Sequence, residues 1–242
     1  MKLDCLSGSP APCDLLVFGA HPDDAELQCG GTLAKSSALG KKTVVVDVTE
    51  GELSSNGSVE GRREERKAAS KILGLENRVQ MRRPDGGLSL DTELVSELVA
   101  VIRAFSPKVI VGPPPHCRHP DHQALHDALK QAHFFCGLKK YRQEIPVVER
   151  PLHLKVLEVA QEEPDLLIDI SDYWEVRQQA LLAYSSQFGI SEGQEATFIN
   201  SGFLETLERR YRDFGERVGV KYAEPFLSTR PPHVNLPTDL VN

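Results

Sequence analysis

The sequence contains little cysteine, and nothing in its arrangement gives the cysteines a shared function. Five cysteines are spread over 242 residues, and no two of them form a CxxC pair. An odd number without such pairs argues against both a disulfide framework and a thiolate zinc site. Cys117 lies beside several histidines, but its spacing does not match a catalytic cysteine–histidine pair, so we interpret it as an incidental small side chain.

Long hydrophobic runs and a positive net charge are also missing. No apolar stretch approaches the ~20 residues of a membrane span, and residues 1–5 lack the apolar core of a signal peptide. The 28 basic and 35 acidic residues give a formal net charge of −7, which argues against a nucleic-acid partner. We therefore expect a cytoplasmic protein with neither a membrane nor a nucleic-acid partner.

The order of the predicted elements indicates an α/β fold. Four apolar or β-branched runs predict strands at residues 15–18, 42–49, 78–82 and 108–112. A helical pattern follows each strand, which predicts a Rossmann-like, doubly wound, mainly parallel sheet with helices on both faces. Further strands and helices are predicted, in chain order, at residues 153–160, 166–171, 173–183 and 199–218. We expect one domain over residues 1–242, with a mobile tail from about residue 228.

Polar residues typical of metal sites follow the first predicted strand directly. A glycine and an alanine end the strand, and His21, Asp23 and Asp24 come next, where a helical pattern begins. Helix capping explains one aspartate at such a place. Capping requires neither His21 nor a second aspartate, so these residues indicate a metal or acid–base site if matching ligands occur elsewhere.

A matching set follows the fourth predicted strand. His119, Asp121 and His122 lead into a predicted helix, and Pro120 is well placed in its first turn. In an open parallel sheet, ligands bind at the carboxyl ends of the strands. We therefore expect the two polar sets to lie close together at one edge of the sheet.

The combined set is typical of a catalytic zinc site, which has three nitrogen or oxygen ligands and one open position. His21, Asp24 and His122 are the predicted ligands, which leaves Asp23 as a base and His119 as a second polar group. The alternative is that His119 is a fourth ligand, which would close the site. A catalytic zinc keeps one position open for water, and this favours the three-ligand interpretation.

Two other histidines lie near this set in the sequence. His126 follows His122 by four residues, but a partly exposed helix histidine explains it more simply than a second ligand pair does. His116 is interpreted as a loop residue at the rim of the site.

The two polar sets resemble a known family. Residues Ala20–Glu26 together with His119–His122 are similar to the LmbE-like (PIG-L) zinc-dependent N-acetylglucosaminide deacetylases. Further segments look like the bacillithiol-pathway branch, whose members deacetylate N-acetylglucosaminyl-L-malate; they are residues 49–62, 84–88, 184–188, 201–203 and 221–226, with Arg118.

The resemblance implies a role for each residue of the predicted site. One Zn²⁺ per chain would be held by His21, Asp24 and His122. Asp23 would be the general base, and a protonated His119, oriented by Asp121, would stabilise the oxyanion. Acetate and a free amine would be the products. The resemblance also implies a homo-oligomer and allows a hexamer.

Two arginines are expected to contact the substrate. By the resemblance, Arg62 and Arg118 would bind the malate carboxylates, for which a guanidinium is a well-shaped donor. Arg63 places a second cation next to Arg62, so the sequence leaves open which of the two enters the site.

Competing functions are separated by the number of metal ions. A Rossmann dehydrogenase is disfavoured because its GxGxxG turn is absent. One zinc favours a deacetylase, either of the malate conjugate or of another N-acetylated sugar conjugate, such as a mycothiol precursor or a chitooligosaccharide. Two metals would favour a phosphoesterase, and none a sugar-binding or scaffold protein.

Overall fold

A seven-stranded sheet forms the centre of the protein. The computed structural model describes residues 10–157, 163–189 and 202–231. The strands are β1 Leu15–Gly19, β2 Thr43–Thr49, β3 Asn77–Arg83, β4 Val109–Gly112, β5 Leu152–Val156, β6 Leu166–Asp169 and β7 Ala223–Ser228. Their spatial order is β3-β2-β1-β4-β5-β7-β6. The first five strands pair in parallel, and β7 runs antiparallel to both β5 and β6.

Helices cover both faces of the sheet. They are α1 Asp24–Ala38, α2 Val59–Leu73, α3 Thr92–Phe105, α4 Pro120–Phe135, α5 Trp174–Leu182, α6 Ser185–Phe188 and α7 Phe203–Arg217. Alternate residues of β1 serve the two faces, since Leu16 and Phe18 pack in the cluster formed by α3 and α4, whereas Leu15 and Val17 pack with α1. The predicted doubly wound, mainly parallel fold with helices on both faces is confirmed.

The last described strand was not predicted, because we expected two helices to end the fold. Segment β7 contains Glu224 and Pro225, a charge and a residue without an N–H, which are unfavourable in a central strand. The structure accommodates the proline because β5 pairs only with residues 226–228, so the missing N–H leaves no gap in that ladder. Glu224 is fully buried, and groups on α1 and α5 compensate its charge.

The predicted tail, from about residue 228, starts at the end of the last described strand. Ser228 is the last residue of β7, and the N–H of Thr229 donates to the carbonyl of His153 at 3.1 Å. Residues 232–242 lie outside the described part of the chain, as do residues 158–160 of a predicted strand and residues 199–201 of a predicted helix. In the described segments, no helix is long and apolar enough to cross a membrane.

Glu224 supports a break in the first helix. Helix α1 is interrupted at Cys29, which has φ −148° and ψ 27°. Just beyond the break, the main-chain N–H groups of Gly31 and Thr32 donate to the Glu224 carboxylate at 2.8 and 2.7 Å. The buried guanidinium of Arg177 lies 3.7 Å from the same carboxylate and compensates its charge. A residue of β7 thus provides the cap for the second half of α1.

We expect Glu224→Ala to lower the free energy of unfolding by ~3–5 kcal/mol, because it leaves a buried arginine uncompensated and two amides without an acceptor. Glu224→Gln, which keeps one acceptor oxygen, should cost less. Denaturant unfolding monitored by circular dichroism measures both changes. The exposed Glu216→Ala on α7 is the control and should stay within ~0.5 kcal/mol of the parent. An equally small change for Glu224→Ala would contradict this role.

Candidate metal centre

The site lies where the order of the strands reverses. Strand β1 pairs with β2 on one side and with β4 on the other, so the loops after β1 and β4 diverge from neighbouring strand ends. This is the position at which open α/β sheets bind ligands. The loop after β1 contributes His21, Asp23 and Asp24, and the loop after β4 leads to His119 and His122 on α4.

A close approach of the backbone fixes the turn after β1. The N–H of His21 donates to Oδ2 of Asp24 at 2.9 Å, so the aspartate folds back over the end of the strand. A Cβ atom at Gly19 would lie 2.9 Å from Cβ of Asp24, which explains why a glycine ends the strand. On the other side, the N–H and Oγ1 of Thr49 both donate to the carbonyl of Ala20 at 2.9 Å.

Three of the predicted ligands converge on one point. Oδ2 of Asp24 lies 3.7 Å from Nδ1 of His21 and 3.3 Å from Nε2 of His122, and these two nitrogens are 3.4 Å apart. Zinc–ligand bonds of 2.0–2.2 Å place two ligands of a tetrahedral ion about 3.3 Å apart. The three atoms therefore fit one face of a zinc coordination tetrahedron, with the fourth corner left for another group.

The charges of these residues favour a cation. Burial lowers the pKa of His122, but Asp24 outweighs burial and raises this pKa to about 11. The pKa of His21 is raised to about 10 against the same opposing effect of burial, through Asp24 and Asp85. Burial would raise the pKa of Asp24, yet the neighbouring imidazoles hold it well below its ordinary value. The buried carboxylate of Asp24 thus stabilises positive charge at this point, and a metal ion would replace the protons that the two imidazoles otherwise carry.

The two adjacent aspartates point in different directions. Asp23 has φ 112° and ψ −22°, a left-handed conformation that is rare for any residue except glycine. It is the N-cap residue of α1, but its side chain makes no capping hydrogen bond, so capping does not explain it. The Asp23 carboxylate lies instead 2.9 Å from Nη1 of Arg62. Asp24 turns toward the histidines, as the assignment of separate roles to the two acids requires.

Arg62 enters the site and Arg63 does not. The guanidinium of Arg62 is buried and donates to the carbonyl of Pro22 at 2.5 Å and to Oγ of Ser54 at 2.6 Å, in addition to its contact with Asp23. Arg63 is partly exposed and pairs with Glu50 at 2.8 Å. The guanidinium of Arg62 is thus held by Asp23, and a contact between Arg62 and substrate stays a prediction.

Arg118 lies on the exposed part of the loop after β4. A contact between Arg118 and substrate stays a prediction.

The carboxylate of Asp121 contacts His21, where the sequence led us to expect it beside His119; the residue contacts His119 through its main-chain N–H. Oδ2 of the fully buried Asp121 lies 3.2 Å from Nε2 of His21. The same carboxylate accepts hydrogen bonds from the main-chain N–H groups of Gly86 and Leu88 at 2.7 and 3.1 Å. The reason for the difference is tertiary: the turn at residues 84–88 packs against α4 and the end of β1, which the spacing within one motif does not reveal.

His119 contacts both other histidines of the site. Its ring centroid lies 4.7 Å from that of His21 and 5.0 Å from that of His122, and the three rings can each offer a nitrogen to one metal ion. Nδ1 of His119 accepts the N–H of Asp121 at 3.2 Å, which assigns the ring proton to Nε2. Burial and the two neighbouring histidines lower the pKa of His119, so the expected imidazolium is not what this environment favours.

Two residues at the site were given no role from the sequence. Asp85 lies 3.0 Å from Nε2 of His21 through its Oδ1 atom. Sγ of Cys117 lies 3.3 Å from Nδ1 of His122, so this thiol is a partner of a predicted ligand and not an incidental side chain. Metal-binding histidines ordinarily give their second ring nitrogen such a partner. The only sequence signal for Asp85 was its position, as an acidic residue, in the turn at residues 84–88.

A buried ionic network lies beside Arg62, on the side of the site that contains Asp23. The side chain of Arg78 donates to Glu26 at 2.5 Å and to Asp47 at 2.7 and 2.8 Å. The hydroxyl of the fully buried Tyr184 lies 3.3 Å from Glu26, and its ring lies 5.9 Å from the guanidinium carbon of Arg62. Charged residues inside otherwise apolar segments, such as Asp47 in β2, were the signal that sequence reasoning missed.

The sequence and the fold match known proteins. The family described as "PIG-L: GlcNAc-PI de-N-acetylase" matches residues 16–133. Diacetylchitobiose deacetylase of Thermococcus kodakarensis is 28% identical over 222 residues, which cover 87% of this chain and 80% of that protein. A probable N-acetyl-alpha-D-glucosaminyl L-malate deacetylase 2 of Bacillus cereus is 27% identical over 186 residues, 72% of this chain and 83% of that protein.

The crystal structure of a conserved protein from Thermus thermophilus has a TM-score of 0.83 and 36% identity, and covers 92% of this chain and 97% of that one. Together with the strand-end cluster, these matches define an α/β protein with a candidate His/Asp metal centre. The chain belongs to the PIG-L (LmbE-like) family of deacetylases.

We expect protein stripped with a chelator and reloaded with zinc to bind one ion per chain, and His122→Ala to bind none, because it removes one atom of the three-atom cluster. His126→Ala is the matched control one turn along α4, where Nδ1 lies 3.1 Å from the carbonyl of Pro113, and it should keep one ion. Elemental analysis of the dialysed proteins measures the number of zinc ions per chain.

The same measurement decides the status of His119. His119→Ala should keep one ion, because its Nδ1 already accepts a main-chain N–H. Loss of zinc from His119→Ala would identify a closed, four-ligand site. Full zinc content in His122→Ala would show that the three-atom cluster is not the metal site.

Proposed function

We propose that this protein hydrolyses the N-acetyl group of an N-acetylglucosaminide in a zinc-dependent reaction, releasing acetate and a free amine. The observation that carries the proposal is the convergence of Asp24, His21 and His122 on one point, beside a second aspartate that is not part of the cluster. Such a set offers a metal site and a separate base. Relatives described as deacetylases of N-acetylated sugars support this interpretation.

Zinc fits the donor set, since two imidazole nitrogens and a carboxylate oxygen are ligands it commonly takes and their separations suit a tetrahedral ion. A bound Zn²⁺ would supply a Lewis acid that polarises the acetamide carbonyl and lowers the pKa of water. The proposal is one zinc per chain, held by His21, Asp24 and His122.

Asp23 is the proposed general base. Arg62 engages its Oδ2 atom, so Oδ1 is the oxygen available to take a proton from the attacking water and to pass it to the departing amine. Burial raises the pKa of Asp23 above the ordinary aspartate value, while Arg62 opposes this rise. The two aspartates have different contacts, since Asp23 pairs with Arg62 and Asp24 lies beside the two histidines.

His119 is the proposed donor to the developing oxyanion. With its proton on Nε2, the neutral ring can donate one hydrogen bond while the N–H of Asp121 fixes Nδ1. A donor that is held in place before the reaction stabilises charge as it develops. This neutral donor replaces the imidazolium that we expected from the sequence.

Among possible substrates we favour N-acetylglucosaminyl-L-malate in bacillithiol biosynthesis, with Arg118 as a contact for the malate carboxylates. The test is amine release from a panel that contains N-acetylglucosaminyl-L-malate, the corresponding glycoside with a neutral aglycone, and diacetylchitobiose. We expect the malyl conjugate to have the highest kcat/KM, and Arg118→Ala to lower kcat/KM for it selectively. A preference for diacetylchitobiose would favour the chitooligosaccharide type, and activity on none of the panel would contradict the proposed function.

We expect Asp23→Asn to keep one zinc and to lower kcat by ~10²–10⁴-fold, because an amide cannot take the proton. The exposed Asp172→Asn is the matched control and should leave both values unchanged. Elemental analysis and steady-state amine release measure the two effects. If Asp23→Asn lost the metal while Asp24→Asn kept it, the roles of the two aspartates would be reversed.

A further inference from the structure

His21 has carboxylates on the side of its ring that faces away from the cluster. Its Nδ1 atom points to Asp24 and His122, and its Nε2 atom lies 3.0 Å from Oδ1 of Asp85 and 3.2 Å from Oδ2 of Asp121. An imidazole that binds a metal through one nitrogen carries its proton on the other. One N–H group of His21 thus lies between two acids.

The two acids differ in what else they hold. Both oxygens of Asp121 accept main-chain N–H groups, those of Gly86 and Leu88, so this carboxylate fixes the turn at residues 84–88. Asp85 belongs to that turn. Its Oδ2 accepts the N–H of Leu53 at 2.9 Å, and its Oδ1 is directed to His21. Asp121 therefore holds the turn, and the turn presents Asp85 to the histidine.

We propose that Asp85 is a positioning residue that keeps the proton of His21 on Nε2 and the lone pair of Nδ1 directed into the metal cluster. The inference rests on the proposed metal site, and it deepens that site by adding a residue from a third loop. The side chain of Asp85 is only 8% exposed, and its contact with His21 is shielded from water, which strengthens it.

Asp85 also connects the ligand side of the site to the base side. The loop that donates Leu53 N–H to Asp85 carries Ser54, whose Oγ accepts from Arg62 at 2.6 Å. Arg62 in turn holds Asp23. The carboxylate of Asp85 is thus in contact with both His21 and the loop that orients the Asp23–Arg62 pair.

The test is the affinity of the metal-free protein for Zn²⁺, measured by competition with a chromophoric chelator. In Asp85→Asn the amide N–H₂ can donate to Nε2 and move the ring proton to Nδ1, the nitrogen that must bind metal. We expect affinity to fall by ~10–100-fold, as for other partners of metal-binding histidines, with one zinc still bound at saturation. The thermal midpoint of the metal-free protein should stay within a few degrees of the parent.

Glu52→Gln is the matched control. Oε1 of Glu52 accepts the main-chain N–H of Asp85 at 2.8 Å, so this change disturbs the same turn without contacting His21. We expect its zinc affinity to stay within ~3-fold of the parent. In the zinc-loaded parent, long-range ¹H–¹⁵N spectra should find the His21 proton on Nε2, a measurement that needs no variant.

Three outcomes would overturn the inference while zinc binding by the parent is retained. Parent-like affinity in Asp85→Asn would remove the positioning role while leaving the metal site intact. An equal loss in Glu52→Gln would show that turn stability, and not the carboxylate, sets the affinity. Two zinc ions in the parent and one in Asp85→Asn would mean that Asp85 and Asp121 bind a second cation. A parent that binds no zinc would instead overturn the proposed metal site itself, and the inference with it.

Discussion

The carboxylate of Asp24 connects the backbone of the first turn to the side chains of the site. One oxygen accepts the N–H of His21 and lies within 3.7 Å of the nearest ring nitrogens of His21 and His122. The turn can close in this way only because Gly19 has no side chain. The end of β1, the start of α1 and the first turn of α4 are therefore held in register by a single buried anion.

The same turn contains a strained residue that its surroundings must hold in place. A left-handed backbone at Asp23 costs ~1–3 kcal/mol and persists only where other contacts fix it. Arg62 contacts both the Asp23 carboxylate and the carbonyl of Pro22, so it holds the side chain and the backbone together. Arg62 itself lies over the buried ring of Tyr184, which contacts Glu26 in the ionic network behind the site. Strain at Asp23 is thus compensated by Arg62 and by the buried charges next to it.

Much of the fold, and the two polar sets of the candidate site, could be predicted from local sequence patterns. The first four strands, the cap of α3 at Asp91 and the αL glycine after α2 at Gly74 were predictable because the interactions that form them lie within a few residues. The convergence of the two polar sets followed from the rule that parallel strands end at one edge. The contact of the Asp121 carboxylate with His21, and that of Asp85 with His21, depend on a third loop that packs over both. No spacing within the motifs contains that information.

Strand β7 has a consequence for the order in which the chain becomes structured. Among the described strands, β6 pairs only with β7, and β7 follows it by more than fifty positions in the chain, at residues 223–228. Strands β1 to β5 can associate as synthesis proceeds, since each has a partner among the first five. The backbone of β6 and the free side of β5 have no ladder to join until the last described strand is inserted between them. Until that late, non-local step, a nascent chain presents the unpaired edges of β5 and β6 to other chains.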